Sequence, residues 1–146
     1  MPTLLVLNGP NLNMLGTREP SVYGTATLKD IKKICETTAK PLGYKIDFRQ
    51  SNYEGEMVTW IQEAFKNQVE GVAINAAAYT HTSVAIHDAL RLLSCPIVEV
   101  HLSDPKTRET FRHTSYVEPL AFTAICGHGP DGYRRAIEAL AEKLKH

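Results

Sequence analysis

Tyr23 and Arg18 lie five residues apart in a long segment, residues 7–24, that follows an apolar run. An unperturbed phenol has a pKa of about 10, so a tyrosine base near neutral pH needs that pKa lowered by roughly 3 units, or about 4 kcal/mol. One guanidinium at about 4 Å supplies about 4 kcal/mol at an effective dielectric constant near 20. Burial of the phenol opposes this lowering of its pKa, so more than one arginine is needed. Arg108 is the second available cation. The pair predicts a tyrosinate base, while a packing role for Tyr23 stays open.

The segment that carries this pair is too long for an ordinary connection in a small domain, which indicates a functional or a disordered loop. It contains five apolar anchors that favour order: Leu12, Met14, Leu15, Val22 and Tyr23. Open α/β sheets bind ligands at the carboxyl ends of their strands. We therefore predict an active-site lid at the end of the first strand.

Other polar side chains also follow predicted strands. Asn8 and Asn11 follow the first strand, Asn75 ends the third, and Glu99 and His101 close the fourth. Loops after parallel strands converge at one edge of a sheet, so we expect these side chains to gather there. A general acid or base at His101 would reach a ligand at this edge, although each asparagine is also compatible with a turn or a cap.

Two further arginines are spaced for anion binding. Arg108 and Arg112 are four residues apart, so a helical turn would place both guanidinium groups on one face. Together with Arg18 they would form a cationic pocket for a carboxylate or a phosphate. A solvated surface pair is the alternative.

The six histidines show no spacing typical of metal ligands, so we expect no metal site. His81 lies at the predicted start of the third helix, with Asp88 seven residues later on roughly the same face. A structural role remains open for each histidine.

Residues 127–132 match the glycine pattern GxGxxG after a strand and before a helix. No second strand follows to complete a βαβ unit, and the chain ends before an acidic residue about 20 positions on could meet a ribose. The run therefore predicts a tight turn rather than a dinucleotide site.

Short apolar or alternating runs predict strands at residues 4–8, 44–48, 71–75, 96–101 and 122–126. Helical spacing predicts one helix that begins at a capping signal at residues 27–30 and stops at Pro41 and Gly43. Three more helices follow. The second has an apolar face at Val58, Ile61, Phe65 and Val69. The third starts at Thr80 with an apolar face at Ile86, Leu90 and Leu93, and the last has its apolar face at Tyr133, Ile137, Leu140 and Leu144. A helical turn is expected within residues 106–113. This alternation predicts an α/β fold: a flavodoxin-like, doubly wound, five-stranded parallel sheet with helices on both faces, in one domain spanning residues 1–146.

The amino-acid composition limits the kinds of molecule that the protein is expected to bind. The 16 basic and 16 acidic residues balance, which argues against a general nucleic-acid or membrane-surface role. No apolar run approaches the roughly 18 residues of a membrane span, and the amino terminus lacks a signal-peptide pattern. The three cysteines have no zinc-site spacing and favour reduced thiols. We expect a cytoplasmic protein with a small-molecule substrate.

Five runs of sequence carry a resemblance to a known family: LNGPNLNMLGTREP at 7–20 with Tyr23 and Gly24, QSNYEGE at 50–56, Asn75 with AYTHTS at 78–83, VEVHLS at 98–103, and RETFRH at 108–113. Over nearly the full length the sequence resembles the type II 3-dehydroquinases (3-dehydroquinate dehydratases).

The resemblance implies reversible dehydration of 3-dehydroquinate to 3-dehydroshikimate through an enolate, with no metal and no organic cofactor. It implies that Tyr23 removes a C2 proton, that Arg18 stabilises charge, and that Asn11 positions a water that holds the enolate. His101 would protonate the departing hydroxyl. The remaining implied site residues bind substrate: Leu102 and Ser103 at its carboxylate, Asn75, His81 and Arg112 at its hydroxyls, with Arg108 nearby. Asp88 would reach the site of an adjacent subunit, which implies a homo-oligomer built from trimers, commonly a dodecamer.

The sequence departs from the family pattern at a few positions: Ala76 and Ala77 replace a Pro-Gly pair, Asp104 an Asn, Tyr53 a His, and His128 an aromatic residue. The first change would alter how Asn75 is presented, and Asp104 would weaken anion binding unless Arg108 or Lys106 compensates. Other functions stay open at this point: a flavodoxin-like cofactor-binding or structural domain without this activity, or the same reaction in quinate catabolism.

Overall fold

The computed structural model describes residues 1–17, 21 and 24–145. Its strands form one parallel sheet in the spatial order β2-β1-β3-β4-β5, the flavodoxin-like order. The strands are β1 (Thr3–Asn8), β2 (Lys45–Gln50), β3 (Gly71–Asn75), β4 (Ile97–His101) and β5 (Thr123–Cys126). The predicted fold class is confirmed, and strand boundaries differ from the predicted ones by at most a few residues.

Helices cover both faces of the sheet. They are α1 (Leu28–Ala39), α2 (Glu54–Lys66), α3 (Val84–Leu90) and α4 (Asp131–Leu144). Alternate residues of β1 point to opposite sides: Leu4 and Val6 pack with α1 and α4, whereas Leu5 and Leu7 pack with α2 and α3. Because β1 is buried on both faces, its sequence is apolar at every position between Thr3 and Asn8 rather than alternating.

The start of α1 follows the predicted capping signal. Thr27 Oγ1 accepts a hydrogen bond from Asp30 N at 3.2 Å, and Thr27 N donates to Asp30 Oδ2 at 3.0 Å. This reciprocal pair satisfies two amide groups that a helix start leaves without partners inside the helix.

The predicted start of the third helix at Thr80 is wrong. Residues Ala77–His81 form a 3₁₀ turn, and α3 begins only at Val84. Ser83 determines that start, since its hydroxyl accepts a hydrogen bond from Ile86 N at 2.9 Å. His81 therefore lies in a connection rather than in a helix.

Two other local predictions are corrected. The second helix ends at Lys66, before Val69. It buries Met57, Ile61 and Ala64, while Phe65 is 50% exposed, so its buried face is rotated from the predicted one. This helix has apolar residues on two of its faces, and the face that packs against β1 is the one that becomes buried. The predicted turn at 106–113 is two 3₁₀ turns, Pro105–Thr107 and Thr110–Arg112.

The glycine-rich run after β5 is a tight turn, as predicted. Gly127 and Gly129 have φ angles of 82° and 58°, and Gly129 N donates to Leu102 O at 3.0 Å. No helix in the described part of the chain combines the length and the apolar character needed to cross a membrane.

The connections after β1 and β3 pack backbone against backbone. Gly9 N donates to Asn75 O at 2.8 Å, and a Cβ added to Gly9 would lie 2.3 Å from Ala76 O. Ala77 has a φ angle of 52°, in the left-handed region that favours glycine. Alanine in place of the family's glycine therefore leaves backbone strain at Ala77. Ala76, in place of the family's proline, has a φ angle of −75°, which proline would also adopt.

We expect Ala77→Gly to stabilise the protein by about 1 kcal/mol, because glycine adopts a positive φ without a Cβ clash. Ala78→Gly is the matched control: Ala78 is exposed in the same turn and is not among the positive-φ residues, so its change should destabilise slightly. Urea unfolding midpoints at one protein concentration measure both effects. Equal destabilisation by the two variants would contradict the strain assigned to Ala77.

Candidate active site

A cavity opens at the carboxyl ends of β1, β3 and β4, where the sequence predicted that polar side chains gather. The empty space between its walls is about 530 Å³, and this figure includes space that is open to solvent. The predicted site residues among its lining are Asn11, Asn75, His81, His101, Leu102, Ser103, Arg108 and Arg112. Residues from four separate predicted segments are thus brought to one place by the parallel sheet.

The floor of the cavity is held by a buried chain of hydrogen bonds. The Tyr133 hydroxyl donates to Asn8 Oδ1 at 2.7 Å and accepts from Asn75 Nδ2 at 3.0 Å. Asn75 Oδ1 in turn accepts from Ala77 N at 3.1 Å. Burial raises the pKa of Tyr133, so this phenol stays protonated and able to donate. The side-chain amide of Asn75 is therefore fixed in orientation from below.

Glu99 and His101 form a buried pair beside the cavity. Two residues apart on β4, they share one face of the strand, and Nε2 of His101 lies 2.6 Å from Oε2 of Glu99. The same oxygen accepts a hydrogen bond from the Ser115 hydroxyl at 2.8 Å. Glu99 and His101 are only 2% and 7% exposed, so the pair is largely removed from water. Nδ1 is the ring nitrogen of His101 that remains for a ligand.

His81 contributes an acceptor to the cavity. Its Nδ1 lies 2.8 Å from the Thr114 carbonyl, and a carbonyl only accepts, so Nδ1 carries a proton. Burial is the main cause of the lowered pKa of His81, with smaller contributions from His101 and Arg112. In the neutral ring Nε2 is unprotonated and can accept a hydrogen bond from a ligand hydroxyl.

The two arginines line the cavity, but not for the reason that the sequence suggested. Arg112 lies in the 3₁₀ turn Thr110–Arg112, whereas Arg108 lies in extended backbone between this turn and the preceding one, so no single helical face carries both. Glu109 bridges them: Arg112 Nε lies 3.0 Å from Glu109 Oε2, and Arg108 Nε lies 3.9 Å from Glu109 Oε1. Arg108 Nη1 also donates to the Ser103 hydroxyl at 3.4 Å. The pair nevertheless makes this wall cationic and suited to a carboxylate.

Asn11 is held in an unusual conformation at the mouth of the cavity. Its φ angle is 69°, and its backbone N–H donates to Asn52 Oδ1 at 3.0 Å. Gln50 Nε2 donates to the same Asn52 oxygen and to Gly9 O, both at 3.1 Å. The loop after β2 therefore fixes the base of the segment that follows β1.

Several predicted features lie elsewhere. Asp88 is exposed on α3 and does not line this cavity. Arg18 and Tyr23 fall outside the described residues, as does Val22. Of the predicted loop anchors, Leu12 and Leu15 are buried in the core, whereas Met14 is 50% exposed.

Asp104, one of the residues at which the sequence departs from the family pattern, does not line this cavity. Its carboxylate accepts from Lys106 N at 3.0 Å, and its side chain borders an adjoining cavity instead.

Sequence reasoning placed Glu99 at the carboxyl edge of the sheet without giving it a chemical role, and it gave no part in the site to Tyr133 or Ser115. Glu99 had a detectable signal, since it is an acidic residue inside an apolar strand and two positions from a candidate histidine. Tyr133 lies 125 residues from its partner Asn8, and no local pattern indicates that contact. Among the described residues no three His, Cys, Asp or Glu side chains gather closely enough to hold a metal ion.

Comparisons with known proteins identify the family to which the chain is similar. Residues 2–141 match the family described as dehydroquinase class II. The chain is 55% identical over 142 residues to 3-dehydroquinate dehydratase 1 of Bradyrhizobium diazoefficiens, covering 97% of this chain and 92% of that protein. It is 57% identical over 138 residues to the 3-dehydroquinate dehydratase of Rhizobium johnstonii, covering 94% of each. The type II dehydroquinase of Propionibacterium acnes superimposes with a TM-score of 0.93 at 42% identity, covering 97% of both chains.

We expect Tyr133→Phe to destabilise the protein by about 2 kcal/mol, because Asn8 and Asn75 each lose a buried partner. A freed Asn75 amide should also weaken binding of any ligand in the cavity and raise KM. Unfolding midpoints and steady-state kinetics measure the two effects. Tyr53→Phe is the control, since Tyr53 is 75% exposed; similar losses in both variants would argue against the buried bridge.

Proposed function

The chain belongs to the dehydroquinase class II family, and on that premise we propose that it removes water from 3-dehydroquinate to give 3-dehydroshikimate. The activity is that of a hydro-lyase, in the shikimate pathway. The observation that supports the proposal most directly is the cavity itself. It combines a cationic wall at Arg108 and Arg112, an acceptor at His81 and a buried acid–base pair at His101.

The first step is removal of a proton from C2, next to the substrate ketone. A carbon acid of this kind needs a strong base and stabilisation of the enolate that forms. We assign the base to Tyr23 as a tyrosinate, with Arg18 stabilising the charge beside it, in keeping with the family motif at 7–24. Asn11, at the cavity mouth, would hold through one water the oxygen on which enolate charge develops.

The second step expels the hydroxyl at C1, and we assign its protonation to His101. An imidazolium whose Nε2–H stays on Glu99 keeps its Nδ1–H for the leaving oxygen. Glu99 supplies the negative charge that stabilises this cation in a site nearly closed to water. Over the whole reaction Tyr23 gains a proton, His101 loses one, and water leaves, so exchange with solvent restores both groups.

Substrate binding divides between the carboxylate and the hydroxyls. The backbone N–H groups of Leu102 and Ser103 would bind the carboxylate, with Arg108 contributing positive charge near Ser103. Asn75, His81 and Arg112 would bind hydroxyls. The neutral His81 suits this role, because its Nε2 accepts from a hydroxyl and adds no charge. The proposed chemistry uses no metal and no organic cofactor.

A homo-oligomer built from trimers, assembled as a dodecamer, is part of the proposal. Asp88 is exposed and lies away from the cavity of its own subunit, which suits a side chain that serves a neighbouring site. We also propose a cytoplasmic location, which the free thiols of Cys35, Cys95 and Cys126 support.

The reaction is tested by following the ultraviolet absorbance of the enone product formed from 3-dehydroquinate. Metal-stripped protein should be fully active, and the activity should elute from a sizing column with an oligomer. Tyr23→Phe should lower kcat by at least about 10²-fold with little change in KM, because the ring remains and the base is lost. Near-normal kcat in that variant would refute the tyrosinate role, and absence of enone formation by the unaltered protein would refute the function.

We expect His101→Ala to slow elimination while enolate formation continues. In deuterated water the unreacted 3-dehydroquinate should then gain deuterium at C2 faster than product appears. Mass spectrometry of the recovered substrate measures this exchange, and the unaltered enzyme is the reference. An unchanged kcat would exclude His101 as the acid.

A further inference from the structure

The hydroxyl of Ser115 has only one direction in which it can donate. Its oxygen accepts hydrogen bonds from two backbone N–H groups, Val117 N at 3.2 Å and Glu118 N at 3.0 Å. A serine hydroxyl has two lone pairs and one hydrogen. With both lone pairs occupied, the hydrogen is left for Glu99 Oε2, 2.8 Å away.

This arrangement determines what Glu99 presents to His101. Oε2 faces two donors, the Ser115 hydroxyl and Nε2 of His101. The other oxygen, Oε1, is buried and bonds to no other described residue. Every hydrogen bond that orients this carboxylate within the described part of the chain thus converges on one oxygen, and the histidine proton belongs on Nε2.

We propose that Ser115 is a positioning residue for the acid step, which orients Glu99 so that His101 keeps its Nε2–H and directs Nδ1 to the leaving hydroxyl. The assignment rests on the proposed function. Ser115 borders the adjoining cavity rather than the one described above, and its hydroxyl donates to Glu99, so it acts through Glu99 rather than on the substrate. Without its hydroxyl, Glu99 would be free to turn and offer either oxygen, and the ring would turn with it.

The neighbours of Ser115 hold it in place without help from a ligand. On one side the Thr114 carbonyl accepts from Nδ1 of His81 at 2.8 Å. On the other side Tyr116 N donates to Thr80 O at 2.9 Å, and the Tyr116 carbonyl accepts from Nδ1 of His87. Residues 114–116 therefore form a fixed connection between the start of α3 and the end of β4.

The test compares Ser115→Ala with Ser115→Thr, which keeps a hydroxyl at the same place. Ser115→Ala should lower kcat about tenfold with KM within about twofold, since the general acid remains but is misdirected. The ratio of C2 deuterium exchange to elimination should rise by a similar factor. Ser115→Thr should restore both quantities to within about twofold of the unaltered enzyme.

Ser83→Ala is the matched control. Like Ser115, Ser83 accepts a backbone hydrogen bond with its hydroxyl; it is buried at the start of α3, and its hydroxyl does not contact Glu99. The Ser83→Ala variant should have a lower free energy of unfolding and an unchanged ratio of C2 deuterium exchange to elimination. An equal rise in this ratio for Ser83→Ala and Ser115→Ala would overturn the proposal, as would an unchanged ratio in folded Ser115→Ala.

A measurement on the unaltered enzyme tests the position of the His101 proton without either serine variant. In ¹⁵N-histidine-labelled protein, the signal that disappears in His101→Ala identifies His101. The proposal requires a proton on its Nε2, and an unprotonated Nε2 in the free enzyme would overturn it. If the unaltered protein fails to dehydrate 3-dehydroquinate, the proposed function fails; if it is active and Ser115→Ala behaves like it, only the role of Ser115 fails.

Discussion

The interaction on which the site depends is a carboxylate buried in the middle of the sheet. Glu99 is 2% exposed, and an isolated charge there would be strongly unfavourable. Its cost is offset by His101 and Ser115, whose donors lie 2.6 and 2.8 Å from one oxygen. Removing one partner of a buried ion pair typically costs roughly 3–5 kcal/mol, because the remaining charge is left without compensation.

A second buried network supports the floor of the cavity. Tyr133 on α4 joins Asn8 at the end of β1 to Asn75 at the end of β3, and the Asn75 amide orients the strained turn at Ala77. One network lies below the cavity and the other beside it, and each holds a lining residue, Asn75 or His101, from behind. Such support reduces the reorganisation needed when charge develops during the reaction.

Much of the fold follows from short patterns. The double-sided burial of β1, the capping box at Thr27 and the tight turn at Gly127 each depend on a few consecutive residues, and each was predictable. The start of α3 was not, because Thr80 and Ser83 are both plausible caps and only the 3₁₀ turn at Ala77–His81 decides between them. The buried face of α2 was misassigned for a similar reason, since apolar residues occur on two of its sides.

The sequence by itself determined the order of strands and helices, and it placed Asn11, Asn75 and His101 at the carboxyl edge of a parallel sheet. Strand ends are local features, and a parallel sheet brings them together without further information. Only the tertiary structure decided which groups hold these residues, since Tyr133 and Ser115 meet their partners across 125 and 16 residues. It also placed Arg108 and Arg112 on one wall although they share no helical turn. Contacts between distant residues depend on how helices and loops pack on the sheet, and no periodicity in the chain encodes that packing.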